Sequence, residues 1–384
     1  MIRVARRRVE FMLVTLAMAV TVAGCGSSFG PLTEWRLQQL VANKIRAYNL
    51  PGAVVGVWVP GKGSWTIAAG KADAVANRDL TVDDLFRVGS ITKTFTATLI
   101  LQLAEEGLIG LDDALDGYLA EVEYDGAIHT IPNAAQITIR QLCNHTSGIN
   151  DYTGSPDFWP AVVEEPERHR TPEELVALAI GMGPLFEPGA AYGYSNTNYV
   201  LLGMIIEQVT GAPLASELGR RILTPLGLTH TGLPDGSGVE GSLAHGYVYT
   251  DSGTLAFEMT FFDTSTTWSA GGMVSNLADL KVWAEALANG SLLSATSHAQ
   301  QLTCVNTGAG GDSSRYGLGV AYTDSLLGHT GSLPSYNCAM YHLADNDATI
   351  IVLLNGTRTV GGATAVDDFV LSIAKIVMPL EVYL

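Results

Sequence analysis

The sequence predicts an α/β protein in which a sheet domain is split by an inserted all-helical region. Apolar, β-rich runs lie near both ends of the chain, whereas the long stretch between them has helical spacing with Pro and Gly breaks. The 384 residues, 47% hydrophobic and 15% charged, are enough to bury a large core. We assign 34–89 and 244–384 to the sheet part and 90–243 to the helical part.

The first residues predict export. Four arginines within the first eight residues precede an apolar run of 12 residues, 11–22, which is shorter than the roughly 20 residues of a membrane span. The run ends in the sequence VAGC at 22–25, which resembles the lipobox of bacterial lipoproteins. That resemblance implies removal of 1–24, a lipid on Cys25 and attachment to the outer face of the cell membrane. An ordinary signal peptide or an uncleaved anchor is the alternative.

The net charge of the chain limits the kinds of partner that it is expected to bind. The formal net charge of −17 becomes −20 once 1–24, with four arginines and one glutamate, are removed. Such an acidic protein is not expected to bind nucleic acid.

Three further cysteines follow Cys25. In an oxidising compartment Cys304 and Cys338 are able to pair, which would leave Cys143 as a small buried apolar residue.

The ends of the chain carry the sheet. A Gly- and Ser-rich tether, 25–33, precedes a helix that stops at the sequence NLPG, 49–52. A β-hairpin of strands 53–59 and 65–69 follows. Near the far end we predict strands and a closing helix at 317–322, 336–343, 348–354 and 363–377.

Ser90 and Lys93 lie at the start of a helix that is apolar on most of its surface and therefore buried. A spacing of three places the ammonium one turn from the hydroxyl, and backbone N–H groups are free at a helix N-terminus. To act as a base at pH 7, the lysine needs its pKa lowered from about 10.4, which burial can achieve.

The S-x-x-K pattern occurs twice, at 90–93 and 372–375. Only the first copy is followed by Tyr194-Ser195-Asn196 and then by His329-Thr330-Gly331, and this order resembles the serine penicillin-recognising enzymes. Other segments extend the similarity to the class C β-lactamase and DD-peptidase family. These segments are TIRQL at 138–142, HTSG at 145–148, FEPG at 186–189 and SAGGM at 269–273.

The resemblance implies a β-lactamase/transpeptidase-like fold with its active site in the cleft between the two parts. It implies that Ser90 attacks a carbonyl and forms an acyl-enzyme, with its proton passing to Lys93 or Tyr194. Tyr194 would then activate the deacylating water. Whether the pair attacks as neutral Lys and Tyr or as a cation and an anion stays open.

The resemblance also implies substrate-binding groups. Asn196 would hydrogen-bond the flank of the substrate. His329, Thr330 and Gly331 lie ahead of the predicted strand 336–343 and would contact the substrate there. The N–H of Ser332 would join that of Ser90 as an oxyanion hole.

Many relatives have lysine at the position of His329, and histidine is mostly neutral at pH 7. This difference favours a D-alanyl-D-alanine carboxypeptidase over a β-lactamase, with an esterase as the alternative and a non-turnover penicillin- or peptidoglycan-binding lipoprotein as another. The expected substrate is a small peptide, ester or β-lactam.

The sequence lacks the residue patterns that other hydrolytic chemistries require. The histidines show neither H-E-x-x-H nor another close ligand pair, and C-x-x-C is absent from the sequence, so we expect no metal and no cofactor. The G-x-S-x-G match at 26–30 lies in the tether, and a second His-Thr-Gly at 230–232 precedes no strand. His145 is interpreted as a structural brace for its loop.

Overall fold

The computed structural model describes residues 29–250, 252–308, 314–323, 325–360 and 362–378. The predicted signal segment 1–24, the lipid site Cys25 and tether residues 26–28 lie outside the described residues.

Helices α1 to α12 are, in order, Pro31–Tyr48, Thr92–Glu105, Ile139–Cys143, Phe158–Glu164, Pro172–Gly181, Asn196–Thr210, Leu214–Leu218, Thr224–Leu226, Trp268–Gly271, Leu277–Asn289, Ala295–Gln301 and Ala365–Val377. Strands β1 to β17 are Gly52–Val59, Gly63–Asp73, Arg78–Asp79, Phe86–Arg87, Glu121–Tyr124, Ala127–Thr130, Tyr247–Tyr249, Leu255–Glu258, Val274–Ser275, Val305–Asn306, Ser314–Tyr316, Ala321–Thr323, Leu326–Leu333, Tyr336–Leu343, Ala348–Leu354, Thr359–Val360 and Ala363–Thr364.

The two ends of the chain share one sheet. Within the described residues it has nine strands in the order β10-β11-β12-β13-β14-β15-β1-β2-β3. Strand β1 pairs antiparallel with β15, so Val55 lies opposite Val352 although the helical region separates them along the chain. The predicted split sheet is therefore confirmed.

The sheet separates two cores. Successive side chains of a strand point to opposite faces, and in β1 Val54 joins the core that contains α2 and α10, whereas Val55 and Val57 join the core formed with α1 and α12. Helices α1 and α12 thus cover the face of the sheet opposite the Ser90 helix.

Four predictions need correction. Helix α1 begins at Pro31, so 31–33 are helix and not tether, as expected for a proline at a first helical turn. The predicted strand 317–322 is a turn up to residue 320, with Gly319 at φ +76, and only its end joins β12. The helical part contains the hairpin β5–β6 and is not all-helical.

The fourth correction is β13, which had been interpreted as a segment ahead of a strand. It carries His329 to Ser332 and pairs with β14 along its whole length, with Gly331 opposite Cys338. Two glycines and several polar residues hide its strand character in the sequence.

The cysteines are not paired. Among the described residues Cys143, Cys304 and Cys338 are free, so the possible disulfide is not formed, and Cys143 is buried as predicted. The Cys338 sulfur faces the Arg87 carbonyl at 3.6 Å inside the sheet, whereas Cys304 follows α11 and is partly exposed.

No single helix of the described residues is long and apolar enough to cross a bilayer; α6 with the segment 214–226 reaches that length and composition only as a pair, bent by 80°.

Candidate active site

Ser90 lies in a tight turn that leads into α2. Gly89 has φ +53, and the Thr92 hydroxyl donates to the Gly89 carbonyl at 2.7 Å, which holds the turn. The following residues of α2 are almost all buried, as the apolar pattern predicted, whereas Ser90 itself is partly exposed. The fold thus leaves the Ser90 hydroxyl accessible at the N-terminal end of a buried helix.

Lys93 is fully buried, and its ammonium is held by three acceptors. Its Nζ donates to Ser90 Oγ at 3.0 Å, to Asn196 Oδ1 at 2.6 Å and to the Ala270 carbonyl at 2.7 Å. Burial lowers the pKa of Lys93 to about 7, against the smaller opposing effect of the Asp151 charge. At neutral pH Lys93 therefore also exists as the neutral amine, whose two N–H groups suffice for Asn196 and Ala270 and whose lone pair can then accept the Ser90 proton.

Tyr194 completes the group around the nucleophile. Its hydroxyl lies near Ser90, and Lys93 Nζ lies 4.9 Å from the centre of its ring. Burial raises the pKa of Tyr194 well above its usual value, and the influence of Ser90 opposes this only in part. The phenol stays protonated, so of the two microstates the structure favours neutral tyrosine beside a lysine close to neutrality.

Asn196 is the first residue of α6 and is fixed at both ends of its amide. Its Oδ1 accepts from Lys93, while its Nδ2 donates to Asp151 Oδ2 at 3.0 Å and to Thr153 Oγ1 at 3.3 Å. Asn196 therefore holds Lys93 in place as well as lining the cleft. Asp151, which sets this orientation, was not identified in the sequence because a single carboxylate in a loop carries no signal.

The two backbone segments expected to form an oxyanion hole lie directly against each other. A Cβ added to Gly89 would lie 3.0 Å from the Ser332 nitrogen, and one added to Gly331 would lie 3.2 Å from the Ser90 nitrogen and overlap the Val88 carbonyl. Only glycine at 89 and 331 allows β13 to approach the nucleophile turn this closely. Ser332 is exposed at the cleft, and Thr330 is half-buried beside it.

His329 is not on the pocket surface. It is 4% exposed; its Nε2 lies 2.9 Å from the Tyr316 hydroxyl and its Nδ1 lies 2.5 Å from the Thr330 carbonyl. Burial, followed by the nearby Lys93 charge, lowers the pKa of His329 to about 3. We expected His329 to contact the substrate directly. Its imidazole is instead neutral, buried and hydrogen-bonded to Tyr316.

His145 supports Tyr194 from behind, in agreement with the predicted structural role. Its ring centre lies 4.3 Å from that of Tyr194, and its Nδ1 accepts the Ser195 N–H at 3.2 Å. Burial lowers the pKa of His145 well below its usual value, followed by the effect of the Lys93 charge. The imidazole is neutral and braces the Tyr194 segment.

A cavity of about 320 Å³ opens in front of Ser90. The loop 150–167 contributes Thr153 and Trp159 to its wall, and the segments 267–271 and 332–334 contribute most of the other lining residues. No charged side chain belongs to this lining among the described residues. The lining residues are Ser90, Thr153, Trp159, Asn196, Thr267, Ala270, Gly271, Ser332, Leu333, Pro334 and Thr357.

The described residues offer no cluster of three or more His, Cys, Asp or Glu side chains suited to a metal ion. The expectation of no metal and no cofactor stays a prediction.

A serine hydrogen-bonded to a buried lysine, near a tyrosine and beside two backbone nitrogens of adjacent segments, has the composition of a serine hydrolase site. The chain belongs to the beta-lactamase family, whose sequence model matches residues 37–375. Relatives of this chain include hydrolases.

Penicillin-binding protein 4* of Bacillus subtilis is 29% identical over 74% of this chain and 64% of its own length. D-aminopeptidase of Brucella anthropi is 28% identical over 88% of this chain and 62% of its own length. The chain thus spans a little under two thirds of these curated relatives.

Solved structures share the fold. A D-stereospecific amidohydrolase from Streptomyces sp. superposes with a TM-score of 0.78 at 32% identity, covering 90% of this chain and 99% of that one. D-amino acid amidase from Ochrobactrum anthropi SV3, complexed with L-phenylalanine amide, gives 0.77 at 25% identity over 90% and 97%. The predicted β-lactamase/transpeptidase-like fold is confirmed.

Proposed function

We propose that this protein is an amidohydrolase that cleaves amides and short peptides of D-amino acids through an acyl-enzyme on Ser90. Two relatives described above are a D-aminopeptidase and a D-stereospecific amidohydrolase, and the latter matches over nearly its whole length. The observation that carries the choice over a carboxypeptidase is that the lining of the Ser90 pocket, among the described residues, has no cation for a substrate carboxylate.

In the proposed acylation, neutral Lys93 takes the proton of Ser90 Oγ as this oxygen bonds to the amide carbon. The developing oxyanion is bound by the backbone N–H groups of Ser90 and Ser332. The C–N bond then breaks as the leaving nitrogen receives a proton from the Tyr194 hydroxyl, which regains one from Lys93. The amine departs and the acyl group stays on Ser90.

In deacylation a water attacks the ester carbon and gives its proton to the Tyr194 and Lys93 pair. The C–O bond to Ser90 breaks, Ser90 Oγ recovers a proton and the acid product leaves. The raised pKa of Tyr194 supports a role as proton donor and relay, and not as a side chain that is already a phenolate before the reaction.

The second candidate is the D-alanyl-D-alanine carboxypeptidase predicted from the sequence, which is favoured by the similarity to penicillin-binding protein 4*. A free substrate carboxylate is bound most strongly by a cation. The Ser90 pocket lining has none among the described residues, and His329 is buried and neutral, so the amidohydrolase is preferred.

The test compares D- and L-phenylalanine amide, a D-Ala-D-Ala peptide, p-nitrophenyl acetate and a fluorescent penicillin as substrates. Faster hydrolysis of the D-amide than of its L-isomer or the peptide would support the proposal. Preferential release of D-alanine would favour the carboxypeptidase, ester turnover alone an esterase, rapid penicillin hydrolysis a β-lactamase, and a stable penicillin adduct without turnover a binding protein.

Two serine variants control this experiment. Ser90→Ala should abolish turnover and any covalent adduct seen by mass spectrometry of the intact protein. Ser372→Ala removes the serine of the second S-x-x-K copy, in the closing helix α12, and should leave both unchanged. Equal rates for wild type and Ser90→Ala would refute the mechanism.

We also propose that the protein is exported and held at the outer face of the cell membrane by a lipid on Cys25. The arginine-rich start, the short apolar run and the sequence VAGC support this. Metabolic labelling with a fatty acid should mark the wild type and not Cys25→Ser; equal labelling of the two would exclude this anchor.

A further inference from the structure

We infer that the outward sides of α1 and α12 form a surface that rests on an anionic phospholipid bilayer. We call this surface the outer helical face. It consists of Leu32, Trp35, Arg36, Arg46, Leu371 and Lys375.

The apolar members of the outer helical face are left largely uncovered by the part of the chain that the structure describes. Leu32 is 70% exposed, Trp35 57% and Leu371 43%. Helices α1 and α12 pack side by side and bury their inner sides, including Leu37 and Phe369, in the core on the same face of the sheet. Their exposed sides therefore both point away from the sheet. Tryptophan and leucine on a helix that lies flat are typical of membrane-interface contacts.

The charge of this face differs from that of the whole chain. The sequence has 38 acidic and 21 basic residues, yet the charged residues classed as exposed on α1 and α12, Arg36, Arg46 and Lys375, are basic. Glu34 and Asp367 are partly buried, and Asp368, whose side chain is 37% exposed, is paired with Lys44 at 2.5 Å. An anionic bilayer would attract this face while repelling the rest of the protein, which gives the contact a defined orientation.

The position of the chain start argues for lipid as the occupant. Helix α1 begins at Pro31, six residues after Cys25. Six extended residues span at most about 22 Å, so the proposed anchor would keep the outer helical face near the bilayer. Because α1 and α12 cover the sheet face opposite α2, the Ser90 side of the sheet would face away from the membrane.

The test uses the full-length protein, isolated from cell membranes and reconstituted in vesicles of phosphatidylglycerol and phosphatidylcholine that carry brominated acyl chains. Bromine quenches tryptophan emission at short range. Of the six tryptophans, Trp35 is the one on the outer helical face. We expect the lipid to quench the wild type and most of that quenching to disappear in Trp35→Phe.

Charge and position are tested separately. Each basic residue near an anionic surface contributes about fivefold to the attraction, so the triple variant Arg36→Gln, Arg46→Gln, Lys375→Gln should lose Trp35 quenching, as should the wild type in phosphatidylcholine alone. As a matched control, Ile128→Trp in the Trp35→Phe background places tryptophan at a site that is 66% exposed on the hairpin β5–β6 and should stay unquenched.

Several outcomes would overturn the inference. These are equal quenching of wild type and Trp35→Phe, quenching that is unchanged in the triple variant, or a wild type that does not attach to vesicles. A blue-shifted Trp35 emission without lipid quenching would also do so, because it would show that residues 1–28 or a second copy of the chain cover this face.

Discussion

Replacing Lys93 with methionine should abolish turnover and yet change stability in a pH-dependent way. The side chain is fully buried, and burial lowers its pKa from 10.5 to about 7. Methionine keeps the length of the side chain without a charge. The prediction therefore separates the electrostatic cost of the buried lysine from its packing.

The sign follows from proton binding in the two states. Below pH 7 the lysine is protonated in both the folded and the unfolded chain, and the folded state carries the full cost of a buried ammonium. Between pH 7 and 10.5 the folded Lys93 is neutral while the unfolded one still binds a proton, so the free energy of unfolding of the wild type rises with pH. From pH 6 to pH 9 this rise is about 3 kcal/mol.

The variant lacks this contribution. Lys93→Met also leaves Asn196 Oδ1 and the Ala270 carbonyl without their lysine donor, at about 1–3 kcal/mol each, but this loss is similar at both pH values. The free energy of unfolding of Lys93→Met minus that of the wild type should therefore be about 3 kcal/mol more favourable at pH 6 than at pH 9.

Urea unfolding of both proteins at the two pH values measures this difference. Lys62→Met, at an exposed position in the β1–β2 hairpin, serves as a control and should show no such pH dependence. In parallel, kcat/KM of the wild type should fall below about pH 7 as Lys93 becomes protonated. A stability difference that is the same at pH 6 and pH 9 would show that Lys93 is not held near neutrality.

Three further predictions concern residues around Ser90. Tyr194→Phe should keep its fold and lower kcat by about 10²–10⁴-fold, with acyl-enzyme visible by mass spectrometry if deacylation is slowed more than acylation. Asp151→Asn should move the acid limb of the pH–kcat/KM profile to lower pH, because the Asp151 charge raises the pKa of Lys93; an unmoved limb would count against this. Gly331→Ala should lower thermal stability and kcat together, because its methyl group would overlap the Val88 carbonyl; wild-type behaviour in both measurements would contradict that packing.

Most of the framework could be predicted from local sequence patterns. The hairpin β1–β2, the strands β14 and β15 and the closing helix follow from period-two or helical spacing and from turn residues, which act over a few positions. Strand β13 could not, because Gly331 serves the close approach to the Ser90 turn, while Gly328 lies against β14, and glycines lower the strand propensity of a sequence. The turn ending at Gly319 was missed because the apolar residues around it resemble a strand.

The same division applies to the site. The pairing of Ser90 with Lys93 depends on one helical turn, and the Tyr-Ser-Asn and His-Thr-Gly segments were visible as residue types in order. The place of His329 was not, because its burial against Tyr316 depends on the pairing of neighbouring strands. Asp151 and Trp159 could not be identified from the sequence for a similar reason, because only the tertiary structure places their loop beside the Ser90 cleft.

By itself, the sequence determined the pairing of Ser90 with Lys93 and the order of the elements, because these depend on local patterns. The later Tyr-Ser-Asn and His-Thr-Gly segments then singled out Ser90 as the candidate nucleophile. The tertiary structure alone decided the protonation of the site and the chemistry of its pocket. Burial lowers the pKa of Lys93 to about 7, and acceptors 103 and 177 residues further along the chain fix the position of its amine. The neutral pocket likewise arises where separate loops and β13 meet, and desolvation of this kind exists only once the chain is folded.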